Sequence, residues 1–594
     1  MEHFWTLLDS INGVIWADWV LYVVLGVGVL FTIWSGFSQF RALTHGSAVI
    51  RGKYDDKNDP GAINHFQALS AALSATVGLG NIAGVAVAVA LGGPGAVFWM
   101  WVVGLLGMAI KTTEVTLSML YRDTSDPDNP HGGPMFVAKK AFKERGLGLL
   151  GTTVGGVFVV TLLISTITGG NMFQSWSVGV ITEQYFQIPS IVTGIVLAVL
   201  VGMVIIGGIK RIGAVAGRIV PLMCGLYVLA ALVVVIMNFT AIPGLLKLIV
   251  VEAFTPSSAE GAFLGGTAGY ALLWGMKRAL FSSEAGQGSS PIAHSAAKTD
   301  EPVREGIVAG LEPFIDTIIV CTLTAMVILS TGAWNRGPEA ILVAPFNVVA
   351  VEGQSDTWTI ETAVLGQANW LPRKEAEARR IAGEWRTGDK VFVVVHADVN
   401  KNTGLNLHRV EGAVTVGEGP EETQVVWKTF KTNPGTVPTP ASEGTSVYVD
   451  YPGPNLTGHA FDRAIPGLGK WLVTLAAWLF AISTMISWSY YGEKGIVYLF
   501  GSGEAITLAY KVIYCLAIVV AAAGFIKTDA ELDSLTALGT GVMLWANIPI
   551  MLIFGSLTMK AYHAYVARLK SGEIDRTAHK PASIADVIEG RDVE

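Results

Sequence analysis

Ser74-Ala75-Thr76-Val77-Gly78-Leu79-Gly80-Asn81 interrupts an apolar run at 66–91 with two glycines and an asparagine. The run is long enough to cross a hydrocarbon core of roughly 30 Å as a helix, and a spanning segment must satisfy its own backbone. Each glycine inside a helix costs about 1 kcal/mol relative to alanine, so a break here frees backbone groups that need a cavity to face. The ends of two half-helices offer amide donors suited to a carboxylate and carbonyl oxygens suited to a cation, as in many midplane transport sites. Close packing between helices also accounts for the glycines. It accounts less well for Thr76 and Asn81.

Outward from this segment lie further apolar runs at approximately 18–38, 95–121, 150–172, 190–209, 216–239, 262–296, 306–332, 467–492, 506–525 and 537–560. They predict an all-α polytopic membrane protein with about eleven transmembrane helices. Composition agrees, since 51% of the 594 residues are hydrophobic and 15% are charged. The net charge of -7 is spread over connectors, which excludes the contiguous basic face that nucleic-acid binding needs. Cys224, Cys321 and Cys515 sit inside apolar runs and read as small core residues. Glu2, Asp9 and Asp18 stand at or before the first run, with no basic leader and no Ala-x-Ala site, so no cleaved signal peptide is expected.

Lysine and arginine fix the expected orientation. One side carries Arg41, Arg51, Lys53 and Lys57, then Arg122, Lys139, Lys140, Lys143 and Arg145, then Lys210 and Arg211, then Lys298 and Arg304, then Lys494, then Lys560, Arg568 and Lys570. The short loops of the other side hold only Lys247 and Lys527. The first-to-second loop and the C-terminus are therefore expected in the cytoplasm and the N-terminus outside. Residues 334–466 are polar, with strand-like runs such as Val391-Phe392-Val393-Val394-Val395 and Ser446-Val447-Tyr448-Val449-Asp450 between turn signals. They predict a β-rich extracytoplasmic insert. His396, His408 and His459 lack metal-ligand spacing, and a structural or interaction role is expected there rather than an enzymatic one.

Five helices after the first interruption, the seventh run carries Gly265-Gly266-Thr267-Ala268-Gly269. Paired interrupted segments in corresponding halves point to an inverted-repeat transporter. The chain then divides into 1–65 (an added helix and cytoplasmic loop), 66–239 (first repeat), 262–333 (opening of the second repeat), 334–466 (insert), 467–560 (close of the second repeat) and 561–594 (cytoplasmic tail).

Ionisable residues at membrane depth are functional candidates. Asp316 lies near mid-bilayer in the eighth helix, with Glu312 one turn nearer the cytoplasm. A hard cation wants oxygen ligands, which Asp316 offers directly or by neutralising charge; neighbouring backbone satisfying the carboxylate is the alternative. Glu114 follows Lys111 at i+3, the spacing of a helix-surface ion pair. Glu284 sits near the inner end of the seventh segment, as a gate or a helix-terminal residue. Ser483 and Thr484 are adjacent hydroxyls, with Trp488 on the face of Thr484. Asn171 and Gln174 share a helix face, either to recognise polar groups or to close a helix end.

With these blocks the sequence resembles the alanine/glycine:cation symporter family, amino acid carriers usually coupled to sodium. The resemblance spans nearly the whole membrane portion: Ala68-Leu69-Ser70-Ala71 through Gly93-Pro94-Gly95-Ala96, Glu114-Val115-Thr116-Leu117, Gly132-Gly133-Pro134-Met135, Asn171-Met172-Phe173-Gln174, Phe281-Ser282-Ser283-Glu284-Ala285-Gly286, Phe314-Ile315-Asp316-Thr317 and Trp488-Ser489-Tyr490-Tyr491-Gly492-Glu493. Val77-Gly78-Leu79-Gly80-Asn81 also looks like the first-helix motif of the neurotransmitter:sodium symporters, which implies the shared LeuT-like 5+5 inverted-repeat fold of the APC superfamily. By position the resemblance implies that Thr76 and Asn81 are ligands of a first sodium site beside the substrate carboxylate, with Asp316 nearby. It implies a second sodium site from the carbonyls near Ser74 and Val77 with Ser483 and Thr484. Gly78, Gly80, Gln174, Thr484 and Trp488, with Thr76 and Asn81, would surround the amino acid, Trp488 limiting its size.

Two departures, Ser283 where the family has asparagine and Ala279 where glycine is common, bear on ion stoichiometry. The expected protein is a symporter of alanine or glycine with sodium in a plasma membrane, the inner membrane of a bacterium. It needs no cofactor and is not an enzyme. The alternatives are a proton-coupled symporter in which Asp316 or Glu284 titrates, and a transporter-like amino acid sensor that signals through the insert.

Overall fold

A computed structural model describes residues 2–361, 363–368, 385–417, 423–441, 444–451, 453–524 and 529–590. Among them, eight helices are long and apolar enough to span a membrane, and one bent pair meets the same test jointly. The helices that matter for the site are α1 (Asp18–Trp34), α2 (His65–Thr76), α3 (Val85–Gly92), α4 (Gly95–Leu120), α5 (Gly148–Ile167), α6 (Phe173–Phe186), α7 (Ser190–Ile205), α8 (Gly208–Met237), α9 (Ala268–Ser283), α10 (Ser290–His294), α11 (Pro302–Ala309), α12 (Thr322–Ser330), α13 (Pro454–Ala464), α14 (Leu468–Phe500), α15 (Glu504–Ala522), α16 (Asp529–Lys570) and α17 (Ile584–Glu589). The chain is a multi-pass membrane protein. Its lipid-facing helices carry apolar residues all round, as α8 does with Leu222, Leu229 and Ile236 exposed.

The bent pair is the interrupted segment quoted above. Asn64 caps α2 by accepting from the Gln67 amide, Val77 turns extended, and the chain resumes as a π-helical turn at Gly80–Gly84 before α3. The two halves meet at 52°. A π-helical turn at Thr168–Met172 joins α5 to α6, and another at Phe314–Cys321 joins α11 to α12. Wide turns of this kind aim side chains and carbonyls out of register, and they gather at functional sites.

Two expectations change. The Gly265–Gly269 cluster does not break a helix, because Thr267 is the N-cap of α9 and its hydroxyl accepts from the Tyr270 amide. The seventh segment breaks instead at its other end. There Glu284 takes a left-handed φ of 52°, Gly286 and Gly288 have φ of 84° and 80°, and the chain re-forms as α10. The left-handed region suits glycine, so the two glycines permit the break. The second concerns length: α7 and α9 have 16 residues each, about 24 Å of helix, shorter than the apolar runs at 190–209 and 262–296 that carry them.

The insert is a closed antiparallel barrel of β1 (Ala340–Leu342), β2 (Ala363–Ala368), β3 (Lys390–His396), β4 (Leu407–Thr415), β5 (Gln424–Trp427) and β6 (Ser446–Val449), in the order β1-β2-β5-β4-β3-β6, with β6 pairing again to β1. Val391, Val393, Val395, Val410, Val414, Val425 and Val447 fill its interior, the alternation that strands with one buried face require. It is anchored at two places. The amide and hydroxyl of Thr267 both donate to the Asn402 carbonyl, at 3.1 and 3.0 Å. Arg336 donates to Glu339 and to the Val449 carbonyl, both at 2.5 Å.

Candidate functional site

The break in the bent pair is held from three sides. Asn81 accepts from the Gly78 amide at 2.8 Å through Oδ1, which closes the loop between the half-helices. Its amide nitrogen donates to Ser282 Oγ at 2.9 Å and to Asp316 Oδ1 in a short bond. Ser282 and Thr317 donate to the other oxygen of Asp316, at 2.8 and 2.7 Å. Asp316 is fully buried, and every one of these partners is neutral. Burying a carboxylate is costly, and beyond these neutral partners the positive charge of Lys111 acts on Asp316 through space. Asn81 and Asp316 are therefore brought together as expected, and Ser282 joins them.

The second expected group lies one turn earlier. Ser74 Oγ donates to the Ser483 carbonyl at 2.7 Å, and Ser483 Oγ reaches the Ser74 carbonyl at 3.3 Å. Thr484 Oγ1 is buried without a hydrogen-bond partner, 2.9 Å from where a Cβ on Gly78 would sit. That free hydroxyl oxygen faces the gap between α2 and α14. Val77 lies in the extended stretch beside it. Thr76 turns its hydroxyl to its own helix, 3.4 Å from the carbonyls of Ala72 and Leu73.

The wall opposite is α5–α6. A Cβ on Gly170 would lie 2.4 Å from Trp488 Cγ, so the indole is pressed on the glycine's backbone. Asn171 donates to the Tyr514 carbonyl at 2.7 Å and Gln174 to the Gly169 carbonyl at 3.1 Å, while the side-chain oxygen of each is buried without a partner. Gly80 faces the Phe281 ring, at 3.7 Å from the Cβ position. The small residues Gly78, Gly80 and Gly170 thus let Thr484, Phe281 and Trp488 approach the backbone closely around the break.

The pair Lys111 and Glu114 proves to be buried, not on a helix surface. Lys111 Nζ is 3.5 Å from Glu114 and 3.3 Å from Glu312, all three in the interior. The reason is packing: α9 and α11 close over the face of α4 that carries both residues. Glu284 accepts from Ser289 across the break. His65, His294 and Glu305, on which the sequence reading is silent, extend this charged group. Among the described residues no group of three or more His, Cys, Asp or Glu residues could hold a metal ion.

The profile of the "Sodium:alanine symporter family" matches residues 1–361 and 441–580, leaving most of the barrel outside. A sodium/alanine symporter, AgcS, of Methanococcus maripaludis is 42% identical over 329 residues, 55% of this chain and 71% of the relative. The putative sodium/proton-dependent alanine carrier protein YrbD of Bacillus subtilis is 30% identical over 565 residues, 95% and 93% of the two chains. The probable sodium/glutamine symporter GlnT of the same organism is 36% identical over 336 residues, 56% and 67%. These relatives are carriers, not enzymes. The broken helix with its asparagine, the buried Asp316 and the profile match over the whole membrane portion lead to one conclusion: the chain belongs to the sodium:alanine symporter family, membrane carriers that couple amino acid movement to sodium and use no further cofactor.

Proposed function

We propose that this carrier takes up alanine or glycine with sodium by alternating access. The observation that carries the substrate reading is Trp488 lying against Gly170, which sets a bulky indole beside the break, where it would limit the side chain accepted. The relatives include a sodium/alanine symporter and a probable sodium/glutamine symporter, so side-chain size is the property that would separate their substrates. The amino acid would lie across Gly78, Gly80, Asn81, Gln174, Thr484 and Trp488, its carboxylate toward the freed amides of the break.

One sodium ion would lie by Asn81, Thr76 and Asp316, and a second between the carbonyls of Ser74 and Val77 and the hydroxyls of Ser483 and Thr484. The buried carboxylate of Asp316, hydrogen-bonded by neutral groups alone, supports the first. The reciprocal Ser74–Ser483 bonds and the unpartnered Thr484 hydroxyl support the second. We further propose eleven crossings in two inverted repeats, 66–239 and 262–560, with the 334–466 barrel inserted in the second. The N-terminus and barrel would lie outside and the tail of 561–594 in the cytoplasm of a plasma membrane, as the loop charges favour. Uptake of a panel of labelled amino acids into proteoliposomes, with and without a sodium gradient, tests this. Preference for glutamine, or uptake indifferent to sodium, would overturn it.

A further inference from the structure

A ladder of acids and bases runs through the interior beside the site without touching Asp316. His65, the first residue of α2, meets Glu305 of α11 through Nδ1. Glu305 Oε1 lies 2.5 Å from His294 Nδ1, and His294 Nε2 lies 2.7 Å from Glu312 Oε1. Ser290 donates to that same oxygen at 2.6 Å. Lys111 stands between Glu312 and Glu114, and Asn547 of α16 donates to Glu114 at 3.0 Å. No charged member is more than 3% exposed.

Hydrogen-bond chemistry sets the proton content. An ionised carboxylate only accepts. His294 lies between two of them, so both ring nitrogens must donate, or one carboxyl must itself be protonated. Either way this rung holds one proton beyond a neutral imidazole and two carboxylates. The charge count agrees. Glu114, Glu305 and Glu312 against Lys111 leave two negative charges in a place where uncompensated charge costs several kcal/mol. His65 and His294 are the two bases positioned to neutralise them.

We propose that this ladder is a proton-binding site, holding one extra proton at the His294 rung and a second at His65, that latches α2 to α11 and empties when the carrier opens on the Asp55 side. Asp55, 22% exposed, faces His65 Nε2 at 3.9 Å, and neither atom has a hydrogen-bond partner. Burial holds the Asp55 carboxyl above the ordinary carboxylate range, which suits a group that passes protons between water and the ladder. The other titratable and charged neighbours include Arg304 and Lys298 around Asp55, His45 near His65, Arg122 toward Glu305, Glu284 and Asp316 toward Lys111, and Tyr491 toward Glu312 and Glu114. The link to opening rests on the alternating-access reading; the proton count does not.

Because the closed form binds these protons more tightly, acid favours it and slows every cycle that passes through the open form. In proteoliposomes with the membrane potential clamped and sodium fixed, wild-type alanine uptake should fall about threefold or more between about pH 8 and about pH 6, where imidazoles change charge. Glu305→Gln and, at the ladder's end, His65→Asn should flatten that profile. A second readout needs no transport: the melting temperature of the purified wild type should drop more steeply with rising pH than that of either variant. Parallel pH profiles and parallel melting slopes for wild type and variants would overturn the proposal. If no sodium-driven uptake exists at all, the melting comparison still reports the protons, so the two readings fail separately.

Discussion

Ser74 and Ser483 bond each other's backbone: the hydroxyl of Ser74 donates to the carbonyl of Ser483 at 2.7 Å, and that of Ser483 reaches back at 3.3 Å. The inner half of the broken helix is thus stitched to α14 where Thr484 leaves its hydroxyl free. Ser483→Ala removes one such bond, worth about 1 kcal/mol. It should lower the apparent sodium affinity of uptake by about fivefold to tenfold while leaving expression unchanged. An unchanged sodium titration would take Ser483 out of the ion's surroundings.

Asn81 and Asp316 are the stricter case. A hydrogen bond to a buried charge is worth about 1.5–3 kcal/mol, so Asn81→Ala or Asp316→Asn should reduce sodium-stimulated uptake at least about tenfold to a hundredfold. Monodisperse elution of each variant establishes that folding is intact. Wild-type rates in both would exclude the pair from coupling.

The contact between Trp488 and Gly170 makes substrate size testable. Trp488→Ala removes the indole and should admit larger neutral amino acids, read as competition by glutamine or leucine against labelled alanine. Gly170→Ala places a methyl group 2.4 Å from the indole. Overpacking of this kind costs about 1–3 kcal/mol, so uptake should drop with no gain of larger substrates.

The tail gives a fourth test. Asn64, the N-cap of α2, donates to the Val587 carbonyl at 2.8 Å, and Gln67 donates to that of Ile588 at 3.2 Å. Tyr54 and Lys53 both donate to Asp575, at 2.8 and 3.0 Å. Removing residues after 572 should therefore free α2 and raise the rate of opening, seen as faster alanine exchange. Hydrogen bonds from Tyr54 and Lys53 hold Asp575 below the ordinary carboxylate range. Its contribution is present above the unfolded value of about 3.9 and is lost as pH falls through the lower folded one. Hydrogen exchange across 574–590 should accordingly stay slow at neutral pH and accelerate only in strong acid.

The helices were legible because a bilayer core imposes length and apolarity on any segment that crosses it, and the first break was legible because glycine and asparagine violate that rule. The second break was misplaced. Gly265–Gly269 has the more conspicuous composition, whereas the real break needs only Gly286 and Gly288 after Glu284. Lys111 and Glu114 carried a surface signature, and i+3 spacing says nothing of what packs above it. The ladder was invisible because its partners, such as His65 and Glu305, lie 240 positions apart and meet only once the bundle forms. Closure of the barrel was hidden too, since β6 returns to β1 across more than a hundred residues of chain. Lys527, one of the two basic residues assigned to the opposite side, lies outside the described residues.

Thr267 gives its amide and its hydroxyl to Asn402, so the first turn of α9 is fastened to the turn between two barrel strands. The barrel is then a handle on the helix that carries Phe281 and Ser282 to the break. Whatever grips the handle, whether an antibody fragment, a neighbouring protein or a crosslink from Asn402, would brake a carrier whose ion and substrate it never meets.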